Sequence, residues 1–197
     1  YKSSFDITGK EMTFSVWVKP VDTAGDMVVF SKPATSPVYH YAIEIDQNGG
    51  EKFECFFGDS SGTLRVVRSA TSAQYGTWQQ VTCAYNGSNF KIYVNGIEDG
   101  NTQVQTTISS RISPLVVGNT LTVLQDYQGS IDELRIWNAS LSAEQVRQQY
   151  SSNLNRYNLT QWYLYVNQTN LSKEFYTYRA SASDIFDNMN STEERIL

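Results

Sequence analysis

The segment YHYAIEIDQNG, residues 39–49, holds the sequence's only histidine four residues before one carboxylate and six before another. Read as a strand it alternates. His40, Ala42, Glu44 and Asp46 fall on one face, Tyr39, Tyr41, Ile43 and Ile45 on the other. Two carboxyls on one strand face can meet the roughly 5 Å separation that retaining glycoside hydrolysis uses. The plainer reading is two solvated carboxylates beside a turn. His40, Glu44 and Asp46 are therefore candidate ligand-binding residues, a polar patch, and no residue is assigned as catalytic. One histidine cannot build a histidine-rich zinc site. The rest of the sequence supplies no nucleophile–base pair and no glycine-rich phosphate loop.

A second candidate is Asp132 in GSIDELRIW, residues 129–137. Strict alternation puts Asp132 on one face with Leu134 and Ile136, and Ile131, Glu133, Arg135 and Trp137 on the other. A carboxylate on an apolar face is costly unless something satisfies it. Three partners are open: backbone N–H groups of a neighbouring loop, an arginine, or calcium, which takes carboxylate and carbonyl oxygens. Trp17 and Trp137 alternate away from the apolar residues of their segments. Such rings either stack on sugars or pack beneath a loop.

Cys55 and Cys83 are the only cysteines, and each alternates with apolar neighbours, so both point inward. They are either two buried thiols acting as small hydrophobes or a strand-to-strand disulfide. Their spacing is not that of a redox-active Cys-X-X-Cys pair.

The elements that position these residues are short and alternating. MTFSVWVKP, DMVVFS, YHYAIEID, KFECFFG, TLRVVRS, WQQVTCAY, FKIYV, SPLVVGN and GSIDELRIW read as strands, with turn signals NGG, DSSG, Asn86-Gly87 and Asn95-Gly96 between them. Near residues 143–150 the period changes. LSAEQVRQQY opens on Ser142 as N-cap with Gln145 at N3, a capping box, and Leu141 and Val146 form a hydrophobic staple. The pattern predicts an all-β antiparallel sandwich over residues 1–152, one short helix near 143–150, and a second strand-rich unit over 153–197.

Composition narrows the class. Hydrophobic residues make up 40% and the net charge is −5, which suits a folded protein and excludes a nucleic-acid binder that works by phosphate neutralisation. No apolar run approaches the ~20 residues of a membrane-spanning helix. No signal peptide is visible, and a sequence opening on Tyr1 reads as a processed product or a fragment. Asn-X-Ser/Thr sequons at Asn86, Asn138, Asn158, Asn167, Asn170 and Asn190 point to an extracellular, glycosylated protein.

Three stretches, FSVWVKP, WQQVTCAYNGSNFKIYVNG and GSIDELRIWNASLSAEQV, resemble successive landmarks of laminin-G-like, concanavalin A-like jelly-roll domains, in order across residues 5–150. Such domains usually begin with a strand resembling alxFDGxDDYV, of which only Tyr1-Lys2 could remain here. Either that strand was lost with the fragment, or another chain supplies it. The resemblance implies a structural calcium near Asp132. It also offers a stricter test of Glu44 and Asp46. Jelly-roll glycosidases carry E-x-D-x-x-E or E-x-D-x-E on one strand, and the third position here is Gly49 or Asn48, neither an acid. QWYLYVNQTNLSKEFYTYRASASDIFDNMNSTEERIL resembles the last strands of immunoglobulin-like or fibronectin-type-III-like domains of archaeal and bacterial surface proteins, with Asp187 where that pattern has Gly.

These readings converge on a non-enzymatic extracellular binding or adhesion module of a cell-surface protein, contacting glycan or protein. The alternative is a structural subunit of a filament or surface layer that self-associates by β-strand addition. A polysaccharide hydrolase is third, disfavoured by the missing acid.

Overall fold

The computed structural model describes residues 5–7, 9–34, 39–109, 112–120, 125–156, 162–166, 172–183 and 188–196. Ten strands come first: β1 Met12–Pro20, β2 Met27–Pro33, β3 Tyr39–Asp46, β4 Lys52–Gly58, β5 Leu64–Ser72, β6 Gln79–Tyr85, β7 Asn89–Val94, β8 Ile97–Gln103, β9 Val116–Val117 and β10 Gly129–Trp137. They form two five-stranded antiparallel sheets of a concanavalin A-like jelly roll, ordered β10-β1-β6-β7-β8 and β5-β4-β3-β2-β9. Helix α1, Ala143–Ser151, follows, then the paired strands β11, Ser152–Arg156, and β12, Trp162–Val166.

Chain turns behave as their residues demand. Asn95 and Gly96, between β7 and β8, both have positive φ, +51° and +78°, the geometry of a tight primed hairpin turn. The DSSG turn between β4 and β5 is built around Asp59, which is fully buried. Its Oδ1 accepts the N–H groups of Ser61 and Thr63 at 2.9 Å each, and Arg65 Nε donates to Oδ2 at 2.7 Å. Burial works against this carboxylate's charge, but the Ser61 hydroxyl, which donates to Oδ1 at 2.6 Å, the Thr63 N–H and Arg65 prevail and hold its pKa down at about 2.

The core lies between the sheets. Phe14, Phe30 and Tyr41 pack ring to ring, as do Phe57, Tyr85 and Phe90. Between these clusters Cys55 of β4 and Cys83 of β6 form a disulfide that ties one sheet to the other, resolving the two open readings of the pair. Lys32 is fully buried, with Nζ 2.7 Å from Asp6 Oδ1 and donating to the Ser113 carbonyl at 2.8 Å.

Helix α1 starts as its sequence predicts. Ser142 Oγ accepts from the Gln145 N–H, and the Gln145 side chain accepts from the Ser142 N–H, closing the capping box. Val146 and Leu141 pack on Ala84 and Tyr93, so the helix covers the outer face of the β10-β1-β6-β7-β8 sheet. With the core on its other face, that cover leaves β6 buried along its whole length.

The chain divides into two compact units, residues 1–165 and 166–197, with the division thirteen residues beyond the expected end of the first domain. In the second unit, β13 (Thr177–Tyr178) pairs with β16 (Arg195–Ile196), and β14 (Ser181–Ser183) with β15 (Met189–Ser191).

Candidate functional site

The sheet β5-β4-β3-β2-β9 carries the first candidate patch, and a bulge changes its membership. Lys32 pairs with Tyr41 and Pro33 with Tyr39, which leaves His40 as an extra residue in β3. His40 therefore does not share the outer face with Glu44 and Asp46 as alternation predicts. It is fully buried, with Nε2 3.2 Å from the Ile7 carbonyl oxygen and its ring tilted on Tyr41. Tyr39, expected to point inward, takes the outer position instead. It packs on Phe56, and its hydroxyl donates to Glu44 Oε2 at 3.4 Å.

Glu44 stands directly across from Glu54 in the β3–β4 register. Sequence reasoning missed Glu54, although the short hairpin linking these strands fixes that register. Burial first, then the nearby Asp26 and Asp46 charges, push Glu44 up to about 7 against the opposing Tyr39 hydrogen bond. Glu54 is only 3% exposed and is held by Arg68, whose Nη2 also lies 3.4 Å from Asp46 Oδ2. The patch is thus a partly protonated carboxyl beside an ion-paired one.

A second bulge builds the other candidate site. In the β1–β10 ladder Ser15 pairs with Arg135 but Trp17 pairs with Asp132, so Glu133 and Leu134 together oppose Val16. Glu133 sits at φ +49°, the left-handed region. The extra residue reverses the phase of the strand. Ile131, Leu134 and Ile136 pack on the core, and Asp132 turns outward beside Trp17. The apolar-face problem posed by Asp132 is thereby removed. Its Oδ1 accepts the Glu133 N–H at 2.8 Å, closing the bulge.

Trp17, Trp78, Asp132 and Glu133 line a surface cleft of about 240 Å³. Trp78, 42% exposed, was not singled out from the sequence. Its signal was parity, since it stands two residues before Gln80, which pairs with Trp17. Tyr150 of α1 stacks on Trp17 with ring centroids 5.5 Å apart and planes at 21°. Arg135 Nη2 donates to Glu133 Oε2 at 2.8 Å, and Arg135 also bonds the Gln149 side chain of α1. The helix thus holds one wall from outside. Indole rings beside carboxylate acceptors suit a ligand with apolar C–H surface and hydroxyl or amine donors.

The calcium that the resemblance implies would need six to eight oxygens. Asp132 and Glu133 are the carboxylates of the cleft, and each already spends one oxygen on a protein donor. Among the described residues no three acidic, histidine or cysteine side chains gather as a metal site. These side chains alone do not make a calcium cage, and backbone carbonyls would have to complete one.

Asn86, Asn138 and Asn190 are exposed. Asn86 Oδ1 accepts the N–H groups of Ser88 and Asn89, at 3.1 and 2.8 Å. Asn158, Asn167 and Asn170 lie outside the described residues, as do Tyr1-Lys2 and Asp187. No helix among the described residues is long and apolar enough to cross a membrane.

A laminin-G family model, described as the concanavalin A-like lectin/glucanases superfamily, matches residues 2–147. No curated protein sequence matches the chain. Among solved structures, a native heptameric SAP-like pentraxin from Limulus polyphemus is similar with a TM-score of 0.58 and 15% identity, over 74% of this chain and 72% of that one. The binding domain of Paraclostridial Mosquitocidal Protein 1 gives 0.59 and 14%, over 79% of this chain but 41% of that one. Domain 4 of a GH43 extracellular arabinanase from Geobacillus stearothermophilus, in complex with arabinotriose, gives 0.55 and 22%, over 72% and 66%. At such identities the likeness is one of fold.

Proposed function

The chain belongs to the concanavalin A-like lectin/glucanases superfamily, and from that premise we propose that it is a non-catalytic, extracellular binding module that holds glycan in the Trp17–Trp78 cleft. The observation that carries this reading is the lining itself: two indoles and two carboxylates, with one indole backed by Tyr150. A sugar ring offers C–H bonds to an aromatic face and hydroxyl donors to carboxylates at its edge. The cleft is smaller than the ~300–1,000 Å³ of pockets for drug-sized ligands, which suits a single sugar ring of a chain. The arabinotriose bound to the arabinanase domain is a use of the same fold consistent with this one.

Catalysis is not part of the proposal. The acid that a jelly-roll glycosidase motif would need after Asp46 is absent, and Glu54, opposite Glu44, is buried beneath Arg68. The inter-sheet disulfide and the exposed sequons suit an oxidising exterior. The test is retention on an immobilised glycan panel. Wild-type protein is expected to bind a subset of glycans and Trp78→Ala to lose them. Binding unchanged in both Trp78→Ala and Trp17→Phe would overturn the cleft as the site.

One observation favours a second reading, assembly by strand addition. Strand β10 lies at the edge of its sheet and is paired only with β1 among the described residues. On this reading residues 153–197 are the closing strands of an immunoglobulin-like unit. Polymers that survive dilution are the expected result, and a compact monomer in light scattering would exclude it.

A further inference from the structure

The two carboxylates of the cleft are not equivalent. Glu133 is neutralised by Arg135, whose guanidinium is spent between the Glu133 and Gln149 side chains. Among the described residues Asp132 has no ion-pair partner. Its Oδ1 accepts the Glu133 N–H at 2.8 Å. One uncompensated negative charge therefore shares the cleft with the two indoles, next to Trp17 across the ladder. Aromatic faces carry the negative side of the ring quadrupole and attract cations. Both kinds of lining group consequently act with the same sign on whatever enters. Lys19, two residues along β1 from Trp17, is exposed and does not line the cleft, so solvent screens it.

We infer that the cleft sorts glycans by charge, taking an amine-bearing sugar in preference to its neutral N-acylated form and rejecting a uronic acid. The ammonium seats between Asp132 and the indole faces, while the pyranose C–H face lies on Trp78. A uronate carboxylate in the same place meets Asp132 and both ring quadrupoles with no cation to receive it. This rests on the cleft reading of the preceding section and adds to it the identity of the group that Asp132 selects.

The experiment is titration calorimetry in chelator and low salt, at a pH where amino sugars are protonated. The probes are a glucosamine oligomer, the N-acetylglucosamine oligomer of equal length, and a galacturonate oligomer. The amine form is expected to bind about 5-fold tighter than the N-acetyl form, the order of an exposed cation–π and carboxylate contact, with the galacturonate weakest. Asp132→Asn keeps an oxygen for the Glu133 N–H, so the bulge survives. In that variant the amine preference disappears while binding of the N-acetyl form persists. A galacturonate that binds as well as the amine form overturns the inference and leaves the glycan reading standing. So does an amine preference unchanged in Asp132→Asn. Failure of all three oligomers to bind a protein that the glycan panel retains overturns the inference alone, and a protein that binds neither overturns both.

Discussion

Trp17 and Asp132 are direct cross-strand partners, and they meet on the outer face of the sheet because β10 carries one residue more than β1 between them. Without the bulge, strict alternation of the same sequence would put Asp132 on the apolar side with Leu134 and Ile136. The bulge depends on Glu133 at φ +49°, a conformation that glycine tolerates and β-branched residues resist. Glu133→Val is expected to lower stability by about 1–2 kcal/mol, and Glu133→Gly by less. Thermal melts of the two variants, with glycan retention read alongside, check the order. Equal losses would mean that the backbone is not what Glu133 contributes.

Helix α1 acts on the cleft through Tyr150. A Cβ placed on Gly96 would lie 2.9 Å from Tyr150 Cβ, at φ +78°. Gly96→Ala should therefore displace Tyr150, and Tyr150→Ala should remove the ring behind Trp17. Each is expected to weaken glycan binding several-fold, the value of one aromatic pair at about 0.5–1.5 kcal/mol. Trp17 fluorescence reports the altered stack directly. Unchanged binding in both variants would separate the helix from the site.

The Cys55–Cys83 bond closes a loop of 28 residues. In the chain-entropy model it is worth roughly 3–4 kcal/mol. Urea unfolding with and without reductant, and of the Cys55→Ala/Cys83→Ala double variant, should show that loss. Coincident curves would show that the sheets hold without it.

Glu44 gives the fold a pH dependence. Its carboxyl is raised to about 7 in the folded chain, above the ordinary value of 4.5. Between those values the folded state holds a proton that the unfolded state releases. The stability from Glu44 is thus full below about 4.5 and is lost as pH rises through 7. Glu44→Gln is expected to flatten stability between pH 5 and pH 8 and to exceed wild type at the upper end by roughly 1–3 kcal/mol. A wild-type curve that rises over that window would refute the assignment.

Calcium can be separated from the cleft chemistry by a melt. A site filled at 100 times its dissociation constant adds about 2.7 kcal/mol, roughly 5–10 °C for a chain of this length. If the cleft side chains are the whole of the site, added calcium leaves the melting temperature unchanged. A rise that is lost in Asp132→Ala would identify an ion there, completed by backbone oxygens.

The strands were legible because each carries its own alternation and its own turn. Phe14, Ile43 and Cys83 are buried as their parity predicts. The helix was equally local, since Ser142, Gln145, Leu141 and Val146 lie within six residues. Phase was not legible across a bulge. His40 and Glu133 are each one residue too many for the partner strand, and no window within β3 or β10 reveals that. The β1–β10 pairing joins residues more than a hundred apart in the chain, so the neighbours of Asp132 could not be inferred from its surroundings. The disulfide was undecidable for a related reason: inward parity put both cysteines in the core, but only the stacking of the sheets brings them together.

That covalent link also sets how the molecule would answer a pull. Drawn from its two ends, the chain can unravel only outside the segment it locks. Residues 55 to 83 would otherwise lengthen it by roughly 90–100 Å. Extension under load should come up short by that amount until a reducing agent is added.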